Sequence, residues 1–288
     1  TMKSICGMLV VIAVLICLTG CAARPSPSPP PPEENTGETP GPAASSPPDT
    51  PAPQETGEPA AEPTAEPENW EALFTEYLEQ NYAALNSYAM ATGIGFVDLD
   101  VDGYPELLLF DAGASAAMGV HIFDIIDGQV CCVSTNEYAG EKFACEHTIF
   151  FPIYANYFED FRLMENASSG EEFFIVCSGN GNTEFFYEEL IRFEKSDQGV
   201  LRPVSLLYAS KSYDDEGSLT STVYRQGDTP IDQAEYDRLY AEFFEGNADT
   251  GYEAKGVFVW NDSTNYSYTY EGFMAMLQDA LNIYEPAV

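Results

Sequence analysis

The sequence predicts an α+β domain in which a meandering, mainly antiparallel sheet is flanked by an N-terminal and a C-terminal helix. Apolar residues recur at helical spacing near both ends of the domain, within residues 70–88 and 270–284, and this period is typical of a helix with one buried face. Between these segments the apolar period falls to two residues, which indicates strands. Short breaks rich in Gly, Asp and Asn separate the strands and favour antiparallel turns over helical crossovers.

The N-terminal helix is predicted to run from Asn69 to about Tyr88. Asn is among the residues preferred at the cap of a helix, and the acidic Glu71 suits the positive end of the helix dipole. The large apolar residues of this segment fall on one helical face, namely Trp70, Leu73, Phe74, Tyr77, Leu78 and Leu85. Such a stripe predicts a helix that packs on the core.

Four strands are predicted in the first half of the domain. They cover residues 93–97, 107–110, 120–126 and 130–134. An acidic loop, residues 98–106, links the first two strands. Asp127-Gly128 lies between the last two, and this dipeptide is a strong signal for a two-residue hairpin turn. Residues 143–164 fit neither period, and their state is left open.

Four more strands are predicted in the second half, at residues 172–177, 184–193, 200–208 and 219–224. The segments between them are rich in turn residues, as in Ser178-Gly179-Asn180-Gly181-Asn182. Pro203 cannot donate a backbone hydrogen bond, so its strand is expected at an edge of the sheet.

Two helices and a short strand are predicted near the C-terminal end. Asp232 and Glu235 have the spacing of a capping box. The helix that they begin has an apolar face formed by Tyr236, Leu239, Tyr240, Phe243 and Phe244. The strand covers residues 257–260, and the last helix covers residues 270–284.

The N-terminus carries a pattern typical of export. Lys3 precedes an apolar run, Met8–Leu18, which ends in Leu18-Thr19-Gly20-Cys21. This pattern resembles the lipobox of bacterial lipoproteins. The resemblance implies that residues 1–20 are a signal peptide and that the lipidated Cys21 anchors the protein at the cell surface, on the outer face of the cytoplasmic membrane. A transmembrane helix is the alternative, but the apolar run is shorter than the roughly 20 residues that a bilayer core requires.

Residues 21–69 are predicted to be the lipidated cysteine and a disordered linker rich in Pro and acidic residues. Residues 22–69 hold 15 of the 20 prolines and nine acidic residues, with almost no large apolar residue. Such a chain cannot bury a core, and in a polyproline conformation it extends by about 3.1 Å per residue, or roughly 150 Å in all. The folded domain is therefore predicted to be residues 70–288.

The charge of the domain limits its partners. Residues 1–69 contain Lys3, Arg24 and nine of the acids, which leaves 9 basic and 38 acidic residues in the domain and a net charge of −29. A field of this sign repels phosphate backbones and anionic lipid headgroups. Nucleic acid is therefore not expected as a partner, whereas the charge is compatible with cations and with neutral or basic ligands. Membrane attachment is expected only through the lipid on Cys21.

The acidic loop predicts a structural calcium site. Counting from Asp98, carboxylates stand at positions 1, 3, 5 and 9, and position 7 offers a backbone carbonyl. Calcium binds about six to eight hard oxygen ligands, and this spacing supplies most of them within a short segment. The alternative is an acidic turn without metal, in which four converging carboxylates would repel one another. The predicted calcium ligands are Asp98, Asp100, Asp102, Tyr104 and Glu106.

The loop differs from an EF-hand, because Leu109 stands where that motif has its last Glu. It resembles instead the calcium loops of FG-GAP and VCBS-type repeats, and a pattern of uncharacterised surface lipoproteins of Firmicutes. The motif occurs once, which disfavours a propeller of repeated blades. Val101 stands where such loops often carry Gly or Asn, and a β-branched residue resists positive φ. This departure predicts a lowered affinity for calcium.

The remaining reactive residues predict no catalytic site. His121 and His147 are each expected to be structural, because a lone histidine in a strand is usually a satisfied core residue. Cys131 and Cys132 are adjacent and point to opposite faces of a strand, so they are not expected to pair with each other. One disulfide and buried free thiols are the two alternatives for the cysteines of the domain, Cys131, Cys132, Cys145 and Cys177.

These observations favour a lipid-anchored cell-surface protein whose domain is a calcium-stabilised extracellular binding module for an unknown ligand. The alternative is an envelope hydrolase that acts on glycan or peptide through carboxylates. A passive envelope component is a third hypothesis. A hydrolase predicts a deep cleft with two facing acids about 5 to 10 Å apart, and a passive component predicts neither a cleft nor an aromatic patch.

Overall fold

The folded domain is α+β in the computed structural model, which confirms the predicted fold class. The structure describes residues 69–111, 118–155, 160–252, 258–261 and 266–285. All of these residues belong to one compact unit, Pro59–Val288. The predicted signal peptide, Cys21 and the predicted linker up to Glu68 lie outside the described residues.

The described segments contain four helices and fourteen strands. The helices are α1 (Trp70–Ser87), α2 (Glu137–Phe143), α3 (Gln233–Gly246) and α4 (Tyr270–Ile283). The strands are β1 (Gly93–Val97), β2 (Glu106–Phe110), β3 (Met118–Ile126), β4 (Gln129–Thr135), β5 (Ala144–Phe150), β6 (Ile153–Ala155), β7 (Phe161–Asn166), β8 (Glu172–Gly181), β9 (Phe185–Lys195), β10 (Leu201–Tyr213), β11 (Leu219–Gln226), β12 (Thr229–Ile231), β13 (Asn247–Asp249) and β14 (Phe258–Trp260). None of these helices is long and apolar enough to span a bilayer.

The first sheet has the strand order β14-β1-β2-β3-β4-β5, and β6 pairs with the N-terminal end of β3. Its strand pairs are antiparallel except for β4 and β5, which are parallel. Asp127 and Gly128 form the turn between β3 and β4 with φ values of 52° and 74°. Positive φ at both positions is the signature of the tight hairpin turn that the sequence predicts.

The second sheet has the strand order β12-β11-β10-β9-β8-β7-β13, and all of its strand pairs are antiparallel. Pro203 lies on β10, which is an interior strand. At Pro203, however, β10 pairs with β9 alone, because the pairing with β11 begins at Leu207. The predicted edge position is therefore correct for this part of β10 and wrong for the strand as a whole.

The two sheets pack face to face. Their shared core contains Val97, Leu108, Phe110 and Ile122 from the first sheet and Phe161, Phe174, Val176 and Ile191 from the second. Helices α1 and α4 pack on the outer face of the first sheet, and α3 packs on the outer face of the second. The domain is thus built as four layers in the order helix, sheet, sheet, helix.

This layering explains why the sequence predicts one sheet where the structure has two. Every residue of β1 and β2 is buried, with Leu107 and Leu109 facing the helices and Leu108 facing the second sheet. A strand covered on both faces loses its alternation of apolar and polar residues. Periodicity then locates the strands without indicating how they divide between sheets.

Three local features differ from prediction or extend it. Asp232 caps α3, because its Oδ1 accepts a hydrogen bond of 2.8 Å from the amide of Glu235, whereas the side chain of Asn69 makes no capping bond to α1. Helix α2 was not predicted.

The predicted break at residues 178–182 is wrong, because β8 continues to Gly181. A glycine in a strand often marks a close approach of backbone, and a Cβ at Gly181 would lie 2.8 Å from the carbonyl oxygen of Phe185.

Candidate metal site

The acidic loop closes the hairpin of β1 and β2 on the side that faces the second sheet. Val97 and Glu106 are the last residue pair of this hairpin, and Val97 belongs to the core between the sheets. Residues directly opposite in an antiparallel pair share one face, so Glu106 also points into that core. It is 3 % exposed. Asp124 on β3 lies one position beyond the last pair of β2 and β3, Leu107 with Phe123, and stands beside Glu106.

The backbone of the loop is folded around its first carboxylate. Asp98 accepts a hydrogen bond from the amide of Asp102 on Oδ1 and another from the amide of Gly103 on Oδ2, both at 2.9 Å. Asp102 Oδ1 accepts from the amide of Tyr104 at 2.9 Å. Glu106 Oε2 accepts from the amide of Leu99 at 2.6 Å. Four backbone amides therefore fix three of the carboxylates before any ligand is considered.

Two residues of the loop have positive φ, Val101 at 59° and Gly103 at 96°. Glycine adopts this conformation without strain, whereas a β-branched residue is an outlier there. The resistance predicted for Val101 is thus present as a strained backbone. Val101 also packs against the core between the sheets, and this contact contributes to holding the residue in place.

Three of the predicted ligands converge. Asp98, Asp100 and Asp102 each offer a carboxylate oxygen, and these oxygens all lie within 4.8 Å of one another. Lys195, at the end of β9 in the second sheet, reaches the same place. Its Nζ lies 2.6 Å from Asp102 Oδ2 and 3.2 Å from Asp100 Oδ2. The other carboxylate oxygen of Asp100, Oδ1, is buried and has no hydrogen-bond partner.

The carboxylates of this cluster are short of positive charge. Burial, followed by the charge of Asp102, raises the pKa of Asp100 to about 7 even though Lys195 opposes the shift. Burial, followed by the charges of Asp100 and Asp124, raises the pKa of Glu106 well above its ordinary value. Burial likewise raises the pKa of Asp98 and of Asp124. A cation bound among these carboxylates would favour their ionised forms and lower their pKa values.

The donor set fits a hard divalent cation. All of the candidate side chains present carboxylate oxygens, which calcium and magnesium prefer, and calcium tolerates an irregular arrangement better than magnesium does. The unpartnered Oδ1 of Asp100 is a buried oxygen that a cation would satisfy. Tyr104 lies in the loop, and its amide is bound to Asp102. The assignment of Asp98, Asp100, Asp102, Tyr104 and Glu106 as calcium ligands stays a prediction.

Sequence reasoning missed two residues of the cluster, Asp124 and Lys195. Asp124 had a weak signal, because it is a lone acid within an apolar strand. Such a residue is buried only with a polar partner or a counter-ion. Lys195 had no local signal, because it is 93 residues from Asp102 along the chain. Its position follows from the packing of the second sheet on the first.

A second polar cluster surrounds His121. His121 Nδ1 lies 2.7 Å from Thr135 Oγ1, and His121 Nε2 lies 3.0 Å from Asp111 Oδ2. A hydroxyl, an imidazole and a carboxylate in this order also occur in nucleophilic active sites. Here both Thr135 and His121 are fully buried, so a substrate has no access to the hydroxyl. The contacts give His121 the hydrogen bonds that a buried imidazole requires, and they agree with its predicted structural role.

The four cysteines of the domain are free thiols in the structure. Burial raises the pKa of Cys131 to about 12, and a hydrogen bond with Cys145 adds to the shift. Burial also raises the pKa of Cys132 and of Cys177. Thiols with raised pKa values are poor nucleophiles and poor metal ligands at neutral pH. Of the two alternatives left open by the sequence, free thiols describe this structure.

A groove lies on the outer face of the second sheet, against α3. It encloses about 590 Å³. Strands β8 and β9 form its floor, and two tyrosines of α3 stand along it. Residues that line it include Asp160, Phe186, Glu188, Glu189, Tyr236 and Tyr240. This size and mixture of aromatic and polar groups are typical of a small-molecule site.

Comparison of the chain with protein-family models, with curated proteins and with solved structures gives no match. The resemblances to lipoproteins and to FG-GAP and VCBS-type calcium loops therefore stay predictions that rest on the residues themselves. The geometry of the acidic cluster and of the groove is what supports a function.

Proposed function

We propose that this chain is a lipid-anchored cell-surface protein whose folded domain is a calcium-stabilised extracellular binding module. One observation carries the calcium part. Three carboxylates converge within 4.8 Å, and Oδ1 of Asp100 among them is buried without a hydrogen-bond partner. Calcium bound there would satisfy this oxygen and remove the repulsion among the carboxylates. The lipobox pattern that ends at Cys21 supports the anchored location.

Calcium in this cluster would stabilise the fold rather than perform a reaction. The candidate ligands belong to the loop and to β2, and Asp124 of β3 lies beside them, so the ion would hold three strands of the first sheet together at one end. For a dissociation constant of about 10 μM and about 1 mM external calcium, binding adds about 2.7 kcal/mol to the free energy of unfolding. That is a large part of the roughly 5–15 kcal/mol typical of a domain.

The test is the melting temperature of the purified chain in calcium and in chelator. A change of about 2.7 kcal/mol corresponds to a fall of roughly 5–10 °C on chelation. In Asp100→Asn this calcium dependence is expected to disappear. Asp197→Asn is the matched control, because Asp197 is an exposed acid in the turn after β9 and its loss should leave the calcium dependence intact. Equal melting temperatures in calcium and in chelator for the unmodified chain would contradict the proposal.

The groove supports binding over hydrolysis as the activity of the domain. Glycoside hydrolysis uses a carboxylic acid that an apolar pocket keeps protonated near neutral pH. Glu188, an acid on the floor of the groove, is exposed. Burial raises the pKa of Glu189, but its side chain points to the opposite face of the strand, where Ser205 and Arg225 engage it. Aromatic side chains are also exposed at the groove, with Tyr240 at 41 % and Phe186 at 43 %. Exposed rings around a groove are typical of ligand contact.

The proposed anchor is tested separately. Expression of the chain in a bacterium should place it in the membrane fraction, with Cys21 as a diacylated N-terminal residue detectable by mass spectrometry. Cys21→Ser should release the protein or leave the first twenty residues uncleaved. Cys177→Ser is the control, because Cys177 lies in the folded domain and its loss should leave the fractionation unchanged. Recovery of Cys21→Ser in the membrane with a normal N-terminus would contradict the anchor.

A further inference from the structure

The groove beside α3 has a floor built from alternate residues of two strands. Cys177, Gly179 and Gly181 of β8 pair with Leu190, Glu188 and Phe186 of β9 in that order. All six residues therefore share the face that α3 covers. The two glycines contribute no side chain to this face, and the space that they leave opens the floor between Leu190 and the end of the hairpin.

The walls of the groove are aromatic. Tyr236 and Tyr240 are one helical turn apart on α3, and their rings are stacked with centroids 6.1 Å apart. Tyr236 is buried against the sheet, whereas the exposed part of Tyr240 continues the wall toward solvent. Phe186 stands at the other end of the floor. A ligand in the groove would thus contact the faces or edges of three rings.

The charged residues that line the groove are acidic, namely Asp160, Glu188 and Glu189. Burial raises the pKa of Glu189, and a hydrogen bond with Ser205 and the charge of Arg225 oppose this shift. The carboxylate of Glu189 is therefore engaged by Ser205 and Arg225. Burial raises the pKa of Cys177 and of Tyr240, and the charge of Arg162 on β7 opposes both shifts. Arg162 is not among the residues that line the groove. The field inside the groove therefore favours a positive ligand.

Glu188 is the carboxylate best placed for such a ligand. Burial, followed by the charge of Glu188, raises the pKa of Tyr236, which locates this carboxylate next to the tyrosine wall. Within the part of the chain that the structure describes, no hydrogen bond or ion pair engages its side chain. A carboxylate held among aromatic rings without a counter-ion is the arrangement that binds an organic ammonium, through ion pairing and cation–π contact together.

We propose that the groove binds a small organic ammonium ion, with Glu188 as its counter-ion and Tyr240 and Phe186 as its aromatic walls. A groove of about 590 Å³ suits a small molecule, and the acidic lining disfavours anions. This proposal deepens the binding function proposed above and rests on it. A lysine side chain of a peptide would present the same ammonium chemistry, and the test distinguishes the two sources.

The experiment measures binding of choline to the purified, calcium-loaded chain by titration calorimetry at low salt. Choline is compared with dimethylbutanol, its uncharged isostere of the same shape. The charged probe is expected to bind at least about fivefold more tightly, because cation–π contact and the ion pair need the charge. Added sodium chloride should weaken the binding of choline and not that of the isostere.

Two variants locate the site. Glu188→Gln is expected to weaken choline binding about fivefold or more, and Tyr240→Leu to weaken it by a similar factor. Glu216→Gln is the matched control, because it removes the same charge from the exposed turn between β10 and β11 and should leave the affinity unchanged. Glu188 and Tyr240 are exposed, and an unchanged melting temperature would show that each variant is folded.

The outcomes separate this proposal from the proposed function. Equal affinity for choline and its isostere, or an unchanged affinity in Glu188→Gln, would overturn the ammonium site. Tighter binding of a short oligolysine peptide than of choline would overturn the small-molecule assignment. Tighter binding of a neutral oligosaccharide in the same groove would overturn the ammonium site and leave the binding module intact. Equal melting temperatures of the unmodified chain in calcium and in chelator would contradict the proposed calcium function and would leave the ammonium site untouched.

Discussion

The domain places carboxylates in two settings that differ in almost every physical respect. In the acidic loop, Asp98, Asp100 and Glu106 are nearly buried and held by backbone amides or by Lys195. In the groove of the second sheet, Glu188 is exposed, free of ion pairs among the described residues, and surrounded by aromatic rings. The first setting suits a small hard cation that becomes part of the fold. The second suits an organic cation that binds reversibly.

The difference shows that residue type alone does not assign a role to an acid. Backbone amides and burial fix the loop carboxylates in one geometry, so the binding of a cation there changes the free energy of unfolding. Solvent screens Glu188, so a cation that binds there competes with water and salt ions. Removal of a loop acid should therefore change stability, whereas removal of Glu188 should change binding and little else.

The largest expected effect is on stability in calcium. Asp102→Ala removes a carboxylate that converges with Asp98 and Asp100, and in calcium it should melt near the temperature of the unmodified chain in chelator. The expected loss is about 2–3 kcal/mol of unfolding free energy. Glu188→Gln should change that free energy by less than about 0.5 kcal/mol, as is usual for exposed residues. Denaturant unfolding of both variants in calcium measures these free energies. Equal losses would contradict the separate roles proposed for the loop acids and for Glu188.

The sequence predicted what depends on neighbours along the chain. The hairpin at Asp127-Gly128 and the cap at Asp232 are set by turn and capping chemistry within a few residues, and both are present. The spacing of the loop acids is also local, and it located the cluster. Asp124 and Lys195 could not be placed, because the position of Asp124 depends on the register of β3 with β2 and that of Lys195 on the packing of the second sheet on the first.

The groove was invisible in the sequence for a related reason. Gly179 and Gly181 are residues typical of turns, and the sequence predicts a turn there. In the structure both lie in β8, opposite Glu188 and Phe186 of β9. The floor of the groove exists only once this register is set. A strand that contains glycines at alternate positions is hard to predict, because it carries neither apolar alternation nor β-branched residues.

The second effect is on the pH dependence of stability in chelator. The pKa of Asp100 is raised to about 7, and the pKa values of Asp98, Glu106 and Asp124 are also raised. Between the ordinary carboxylate pKa and these raised values the folded state binds more protons than the unfolded state, so unfolding free energy should fall as pH rises from about 4 to about 7. One pKa unit corresponds to about 1.4 kcal/mol, and local opening of the calcium-free loop limits the effect to less than the full shifts would give, so the expected fall is on the order of 2 kcal/mol.

Calcium should remove or reverse this pH dependence, because a bound cation favours the ionised carboxylates. Chemical denaturation at several pH values, with chelator or with calcium, makes the comparison. The Glu188→Gln variant should follow the unmodified chain under both conditions, since Glu188 lies outside the loop. A calcium-free stability that rises between pH 4 and pH 7 would contradict the raised pKa values of the loop carboxylates.

The third effect concerns Lys195, whose ammonium occupies the position of a counter-ion between Asp100 and Asp102. Lys195→Met should destabilise the calcium-free domain by about 1 kcal/mol, because it removes a partly exposed ion pair. The same variant should bind calcium more tightly, by about threefold to tenfold, because the ion no longer competes with the ammonium. Lys211→Met, an exposed lysine of β10, is the control. Weaker calcium binding by Lys195→Met would show that Lys195 supports the site instead of competing for it.

The smallest effect tests the strain at Val101, whose φ is 59°. Val101→Gly removes the conformational strain, which costs about 1–3 kcal/mol at such positions, and loses a partly buried apolar contact of roughly similar worth. Stability should therefore change little. Calcium affinity should rise about twofold to fivefold, because a bound ion holds the strained loop in place, whereas a calcium-free loop can relax part of the strain. Asp127→Gly provides the matched control, since Asp127 also has positive φ but lies in a hairpin turn outside the acidic loop. If both substitutions changed calcium affinity alike, the effect would come from general flexibility of the backbone. The strain at Val101 would then not be what lowers the calcium affinity of the loop.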